Sequence, residues 1–173
     1  KTLSEISKLL REEDEEAYLV VSQKHIVFRI SGYYVVSRLL EGDFLDYNAA
    51  IPKISKTTVK INTRSLTDSV ERTSLLISDR LRSPIRLVVT ENKVQLSCST
   101  AMGKAHDEVD CEVSGEAVSM GFNNKYLLDA LKASDCDMVK LEINGALSPM
   151  RMIPMEGDSF LFLVLPVRVK NDD

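Results

Sequence analysis

The residues that usually carry metal and redox chemistry are scarce in this sequence. It contains two histidines, three cysteines, seven glycines and no tryptophan in 173 residues. The cysteines, Cys98, Cys111 and Cys136, are odd in number and far apart, so they fit neither a disulfide framework nor a zinc site. We therefore expect no metal and no cofactor, and a reducing, cytoplasmic location.

Catalytic motifs are missing as well. The sequence contains no GxSxG and no glycine-rich phosphate loop. His25 and His106 have no serine, cysteine or carboxylate partner in a recognisable arrangement. We expect a non-catalytic binding or scaffold protein. The alternative is a small α+β hydrolase with an unrecognised site near His106, which a serine or cysteine within hydrogen-bond reach of that histidine would favour.

No apolar run is long enough to span a bilayer, which needs about 20 residues. The longest run, Phe160–Val167, is far shorter, and Lys1 is followed by a helical pattern without the apolar stretch of a signal peptide. We therefore expect no membrane partner. The net charge of −4 argues against a nucleic-acid partner unless the cations cluster locally.

The order of periodic segments predicts an α+β fold built from repeats. Helical spacing occurs in "TLSEISKLLREE", with Thr2 and Glu5 placed as a capping box, in Arg64–Ser78, and in "NKYLLDALKAS". Three strand-like segments follow each helix. We interpret the chain as three βαβββ units, the first without its opening strand. Lys53–Asp173 would then be one whole domain, and Lys1–Pro52, which ends in a linker, the second half of another.

Lysines line up on the first and last helices. Lys1 and Lys8, like Lys125 and Lys132, lie seven residues apart, a rotation of about 700° that places each pair on one stripe. The acidic residues cluster elsewhere, at 12–16 and 107–112. An acidic protein can therefore present a local phosphate-binding surface, although surface helices also carry lysines without such a role.

Two leucines of the middle helix lie away from its core stripe. Leu66, Val70 and Ile77 form that stripe, whereas Leu75 and Leu76 lie off it. Such residues indicate a contact with another chain or packing beneath a loop, and the sequence leaves both possibilities open.

The chain ends with the apolar run "SFLFLVLPVRV", which contains Pro166 close to its end. A proline cannot donate to a strand ladder, so a strand that only filled a core would not need one there.

Three segments together resemble the bacterial DNA polymerase III beta subunit family, the sliding clamps. They are "SRLLEGDFLDYNAAIP" (37–52), "GFNNKYLLDALKA" (121–133) and "LFLVLPVRV" (161–169), and the similarity spans the whole chain. The resemblance implies the DNA-clamp fold, with helices on one face of repeated βαβββ units and antiparallel sheets on the other. It also implies a head-to-tail homodimeric ring that encircles double-stranded DNA as a processivity factor. Residues 1–52 would end the middle clamp domain, and 53–173 would form the C-terminal domain.

The resemblance also implies three sets of site residues. The hydrophobic groove that docks DNA polymerase III alpha subunit, the clamp loader and other clamp-motif proteins would be lined by Leu45, Ala50, Asn123, Tyr126, Leu147, Pro149, Leu163, Val164, Leu165, Pro166, Val167 and Arg168. The DNA-facing cations would be Lys1, Lys8, Arg72, Lys125 and Lys132, and the dimer interface would include Leu75 and Leu76. Leu45 stands where the family often has proline, and Ala49-Ala50 replace a larger pair, which would make the groove wider or softer.

Overall fold

In the computed structural model, which describes residues 1–11, 16–77 and 83–169, the chain divides into two units, Lys1–Leu45 and Asp46–Asp173. The unit boundary precedes the sequence-predicted domain boundary after Pro52. Arg151 donates a hydrogen bond from Nη1 to the Pro52 carbonyl, at 2.9 Å, which ties residues 46–52 to the second unit.

The first unit contains one helix and a three-stranded antiparallel sheet. Its elements are α1 (Thr2–Leu9), β1 (Tyr18–Val21), β2 (His25–Ile30) and β3 (Tyr33–Arg38), with β2 in the centre of the sheet. Ser31 and Gly32 both have positive φ, which suits the tight hairpin between β2 and β3. The buried core consists of Ile6, Phe28 and Ile30.

The predicted capping box at Thr2 and Glu5 is wrong. Lys1 is the N-cap of α1 and makes no side-chain capping bond. The Thr2 hydroxyl hydrogen-bonds the Ser37 hydroxyl instead, at 2.9 Å, and Glu5 accepts from Lys8 at 2.9 Å. Thr2 therefore connects the helix to the sheet rather than closing the helix end.

The second unit contains two complete βαβββ repeats after a short helical turn. Its elements are α2 (Tyr47–Ala50), β4 (Thr57–Asn62), α3 (Thr63–Ser74), β5 (Ile85–Val89), β6 (Lys93–Thr100), β7 (Gly103–Gly115), β8 (Val118–Phe122), α4 (Asn124–Ser134), β9 (Met138–Ile143), β10 (Met150–Pro154), β11 (Phe162–Val164) and β12 (Pro166–Val167). The first repeat runs from β4 to β7, and the second from β8 to β12.

The sheet of this unit has pseudo-twofold connectivity. Its strand order is β11-β10-β9-β4-β7-β6-β5-β8-β12. The opening strand of each repeat pairs with the first strand after the helix of the other repeat, because β4 pairs with β9 and β8 pairs with β5. The first part of β7 pairs with β6 and its last part pairs with β4. The chain end changes partner in the same way, because β11 pairs with β10 and β12 pairs with β8. The predicted repeat is thus confirmed.

The two helices of this unit lie side by side, as the sequence predicted. α3 and α4 contact each other, and both pack on the sheet. Leu66 and Val70 of α3 and Leu127 and Leu131 of α4 are buried in one core with the inward-facing strand residues. The helices therefore cover one face of the sheet.

The observed elements depart from the sequence prediction in several places, beginning with α1, which ends at Leu9. α3 ends at Ser74, and Ser78 lies outside the described residues. The predicted linker contains the short helix α2, whose N-cap Asp46 accepts a hydrogen bond from the Asn48 amide. The predicted terminal strand is divided at Leu165 into β11 and β12, because its two halves pair with different strands.

Candidate functional site: a groove at the terminal strand

The larger of two cavities at the chain end lies between α4 and the segment 161–165. This α4 hollow has a volume of about 550 Å³. It is lined by Tyr126, Asp129, Ala130, Ala133, Leu161, Phe162, Leu163, Val164 and Leu165. Apolar side chains make up nearly all of its wall, which suits an apolar ligand group with Asp129 as a polar neighbour.

A second cavity lies where the chain end reaches β8. This β8 hollow has a volume of about 360 Å³ and is lined by Arg86, Ser119, Met120, Gly121, Ala146, Leu147, Val167, Arg168 and Val169. Arg86 donates from Nε to the Ser119 hydroxyl at 3.0 Å, which fixes the position of one cation. The β8 hollow therefore combines an apolar floor with charged groups at its edge.

Alternation along the terminal strand explains the exposed apolar wall. Val164 is buried, whereas Leu161, Leu165 and Val167 remain 41%, 64% and 39% exposed. Successive residues of a strand face opposite sides, and the division at Leu165 moves the chain from β10 to β8. One short segment can therefore contribute walls to both hollows.

The structure brings together some of the predicted groove residues. Tyr126 and Leu163–Leu165 line the α4 hollow, and Leu147, Val167 and Arg168 line the β8 hollow. Pro166 lies between the two sets, where it pairs with Phe122.

Besides Pro166, four predicted groove residues lie outside both linings. Asn123 is the N-cap of α4, and its Oδ1 accepts from the Lys125 amide at 2.9 Å. Pro149 is half-buried just before β10 and Ala50 is exposed in α2. Leu45, 75% exposed, belongs to the first unit.

Sequence reasoning missed much of the lining. Ala130 and Ala133 lie four and seven residues after Tyr126, and this helical spacing could have identified them. Arg86 and Ser119 come from β5 and β8, which are paired only in the folded sheet, so no local pattern indicates them.

Comparison with known proteins identifies the family. Residues 48–168 match the family model described as DNA polymerase III beta subunit, C-terminal domain. The chain belongs to the DNA polymerase III beta subunit family. It is similar to the beta sliding clamp of Staphylococcus epidermidis, with 33% identity over 170 residues, and to that of Staphylococcus aureus, with 31%. Both matches cover 97% of this chain and 45% of the relative.

Solved structures of the beta subunit family share the fold. The polymerase sliding clamp of Bacillus subtilis matches with a TM-score of 0.89 and 28% identity, covering 98% of this chain and 45% of that chain. The clamp of Bartonella birtlesii bound to griselimycin matches with a TM-score of 0.88 and 27% identity, covering 96% and 45%. The predicted clamp fold is confirmed, and the chain spans a little under half the length of these relatives.

The cations predicted to face DNA are exposed, and several are paired with carboxylates. Lys8 pairs with Glu5 at 2.9 Å, Arg72 with Asp107 at 2.7 Å, and Lys132 with Glu71 of α3 at 2.8 Å. Hydrogen bonding to Glu71 raises the pKa of Lys132. Lys1 and Lys125 are also exposed. Sequence reasoning missed the carboxylates because Glu71 and Asp107 come from other elements.

The two leucines after α3 have different surroundings. Leu75 is 83% exposed. Leu76 is half-buried, and its Cδ1 lies 3.9 Å from the position that a Cβ would occupy on Gly103, the first residue of β7. Leu75 is therefore exposed enough for a contact with another chain, whereas Leu76 lies beside the start of β7 in its own chain.

His106 lies on the exposed surface of β7, opposite Ser97 of β6. Within residues 1–11, 16–77 and 83–169, the His106 side chain forms no hydrogen bond or ion pair that would activate a nucleophile. The serine or cysteine partner that would favour a hydrolase is thus not hydrogen-bonded to His106 among the described residues.

In the part of the chain that the structure describes, no helix has both the length and the apolarity needed to cross a membrane.

Proposed function

We propose that this chain is part of a bacterial sliding clamp, a non-catalytic processivity factor that encircles duplex DNA in the cytoplasm and tethers DNA polymerase to it. Family membership and the names of the relatives support the proposal. Residues 1–52 would end the middle clamp domain and residues 53–173 would form the C-terminal domain. A head-to-tail homodimer of the whole protein would close the ring.

The proposed mechanism is topological. A closed ring cannot dissociate sideways from a duplex, so its helices need only phosphate contacts without base readout. Lys1, Lys8, Arg72, Lys125 and Lys132 would supply these contacts. Because Arg72 and Lys132 already pair with carboxylates, each contact should be weak and sensitive to salt. Weak contacts would let the ring slide.

The observation that carries the proposal is the pair of apolar hollows beside the terminal strand. Leu165 and Val167 expose apolar surface there although the strand has core positions such as Val164. Exposed apolar walls of this kind mark ligand grooves. The groove would dock the clamp-binding motifs of DNA polymerase III alpha subunit, the clamp loader and other partners. Griselimycin, bound to the Bartonella birtlesii clamp, would be a small-molecule ligand of this chain.

Replacing Val167 with Asp tests the groove. The side chain is 39% exposed, so the free energy of unfolding should change by no more than about 0.5 kcal/mol. Burial of an unpaired carboxylate against an apolar ligand costs about 1.4 kcal/mol or more, so affinity should fall about tenfold or more. The measurement is fluorescence anisotropy with a labelled clamp-motif peptide, together with urea unfolding.

Met102→Asp is the matched control, because Met102 is 74% exposed in the β6–β7 turn, outside both hollow linings. It should bind the peptide like the unmodified chain. If Val167→Asp binds the peptide with full affinity, the groove must lie elsewhere. If the variant unfolds readily, the terminal segment is an ordinary part of the core.

A further inference from the structure

A partly buried ion pair between β9 and β10, on the outer face of the sheet, also contacts the segment before β4. Arg151 of β10 pairs through Nη2 with Glu142 of β9 at 3.2 Å, and the two side chains are only 22% and 18% exposed. Its other terminal nitrogen, Nη1, donates to the Pro52 carbonyl at 2.9 Å. A guanidinium can serve both acceptors at once because its donors form a rigid planar fork.

Stability alone does not account for this arginine. Buried ion pairs are often no more stabilising than apolar residues of similar volume. Arg151 Nε is also buried without a hydrogen-bond partner in the described part of the chain, which costs free energy. What an apolar residue could not provide at this position is the bond to Pro52.

The segment that Arg151 holds lies at the surface of its unit. α2 has no buried residue, and Ile51 and Pro52 are half-buried. Further along the chain, the Ser55 hydroxyl and the Lys56 amide both donate to the Ile143 carbonyl, at 3.4 Å and 2.9 Å. The Pro52 carbonyl is therefore a point at which the sheet can fix the direction of α2.

Arg151 also neighbours the terminal strand. Its Cα lies opposite Leu163 in the pairing of β10 with β11, and opposite Glu142 in the pairing with β9. One row of outward-facing residues thus runs from Glu142 through Arg151 to Leu163, a lining residue of the α4 hollow. The guanidinium connects that row to the segment carrying Ala50.

We infer that Arg151 is a positioning residue, which holds residues 46–52 against the sheet and so keeps the linker wall of the peptide groove in place. The inference rests on the proposed function for the groove itself. The contact to Pro52 does not depend on any ligand.

The test compares Arg151→Met with Lys60→Met in the full chain. Lys60 also pairs with a carboxylate, Glu112, at 3.2 Å on the same sheet, and its loss changes the charge equally. Backbone order parameters of residues 48–51, measured by ¹⁵N relaxation, should fall from about 0.85 to below about 0.6 in Arg151→Met. Affinity for the labelled clamp-motif peptide should fall about threefold to tenfold, as expected for one lost hydrogen bond. Lys60→Met should change neither.

Arg151→Lys separates positioning from stability. It keeps a positive charge beside Glu142 but presents one nitrogen, so its melting temperature should match that of the unmodified chain while the order parameters stay low. Unchanged order parameters in both Arg151 variants would overturn the inference. If the order parameters fall but the peptide still binds with full affinity, residues 46–52 do not form a wall of the groove. If the unmodified chain fails to bind the peptide, the proposed function fails, and the order parameters alone decide the positioning role.

Discussion

Gly121 allows the end of the chain to lie against β8. A Cβ at this position would come within 2.2 Å of Val169 Cγ2 and 2.7 Å of the Val167 carbonyl oxygen. Both distances are far shorter than a van der Waals contact, and one of them involves backbone. The β8 hollow therefore depends on the absence of a side chain at one position.

Gly121→Ala should displace residues 167–169 and destabilise the fold by about 1–3 kcal/mol, the usual cost of overpacking. Gly145→Ala is the matched control, because a Cβ there meets nothing within 4 Å, and it should change stability by no more than about 0.5 kcal/mol. Urea unfolding measures both values. Equal stability of the two variants would contradict the steric role of Gly121.

The ion pair between Arg72 and Asp107 gives a second prediction at the scale of single residues. Partial burial raises the pKa of Asp107, but hydrogen bonds from Arg72 and the Glu108 amide outweigh it, so the pKa lies below its ordinary value. A carboxyl whose pKa is lowered by folding stabilises the fold above its unfolded pKa, about 3.9. That contribution is lost as pH falls through the lowered folded pKa.

Arg72→Gln should therefore cost about 0.2–1 kcal/mol at pH 7, because solvent screens the more exposed Arg72 end of the pair. The difference from the unmodified chain should shrink below about pH 4, as Asp107 becomes protonated. Urea unfolding over a pH series measures this difference. A cost that stays constant down to the most acidic pH would show that Arg72 acts through packing rather than through Asp107.

At the scale of elements, α4 depends on its cap. Asn123 Oδ1 accepts from the Lys125 amide, and such caps contribute about 1 kcal/mol. Asn123→Ala should lose about that amount in thermal or urea unfolding, while Asn123→Asp should retain it because aspartate also caps helices. If Asn123→Ala is as stable as the unmodified chain, the cap does not stabilise α4, and a role in the groove would be the one left for this side chain.

The helices and most strands could be predicted because their periodicity is local. Leu66 and Val70, spaced by one helical turn, are buried as the pattern indicated. The capping box failed because Thr2 bonds to Ser37, a residue distant in sequence. The division of the last strand also escaped prediction, because it depends on which strands lie beside Leu165 in the folded sheet.

The resemblance to the family predicts which residues line the groove, but it does not predict that they divide between two hollows. Tyr126 and Leu165 face one hollow while Leu147 and Val167 face the other. This division follows from the change of partner strand and from the close approach at Gly121, neither of which leaves a sequence pattern.

At the scale of the whole molecule, the pseudo-twofold relation produces two equivalent points where a strand changes partner. In β7 the change occurs between Asp110 and Cys111, and at the chain end it occurs at Leu165. The surface around the first is acidic, with exposed Glu108, Asp110 and Glu112. The surface around the second is apolar. The same architecture thus carries a solvated face in one repeat and the candidate groove in the other.

The central claim is that the terminal strand forms a peptide groove, and amide chemical-shift mapping tests it most directly. The ¹⁵N-labelled chain is titrated with a peptide carrying the clamp-binding motif. We expect saturable shifts concentrated at Tyr126, Leu147 and residues 163–168, with β7 around His106 unaffected. Absence of saturable shifts, or shifts centred on β7, would contradict the claim.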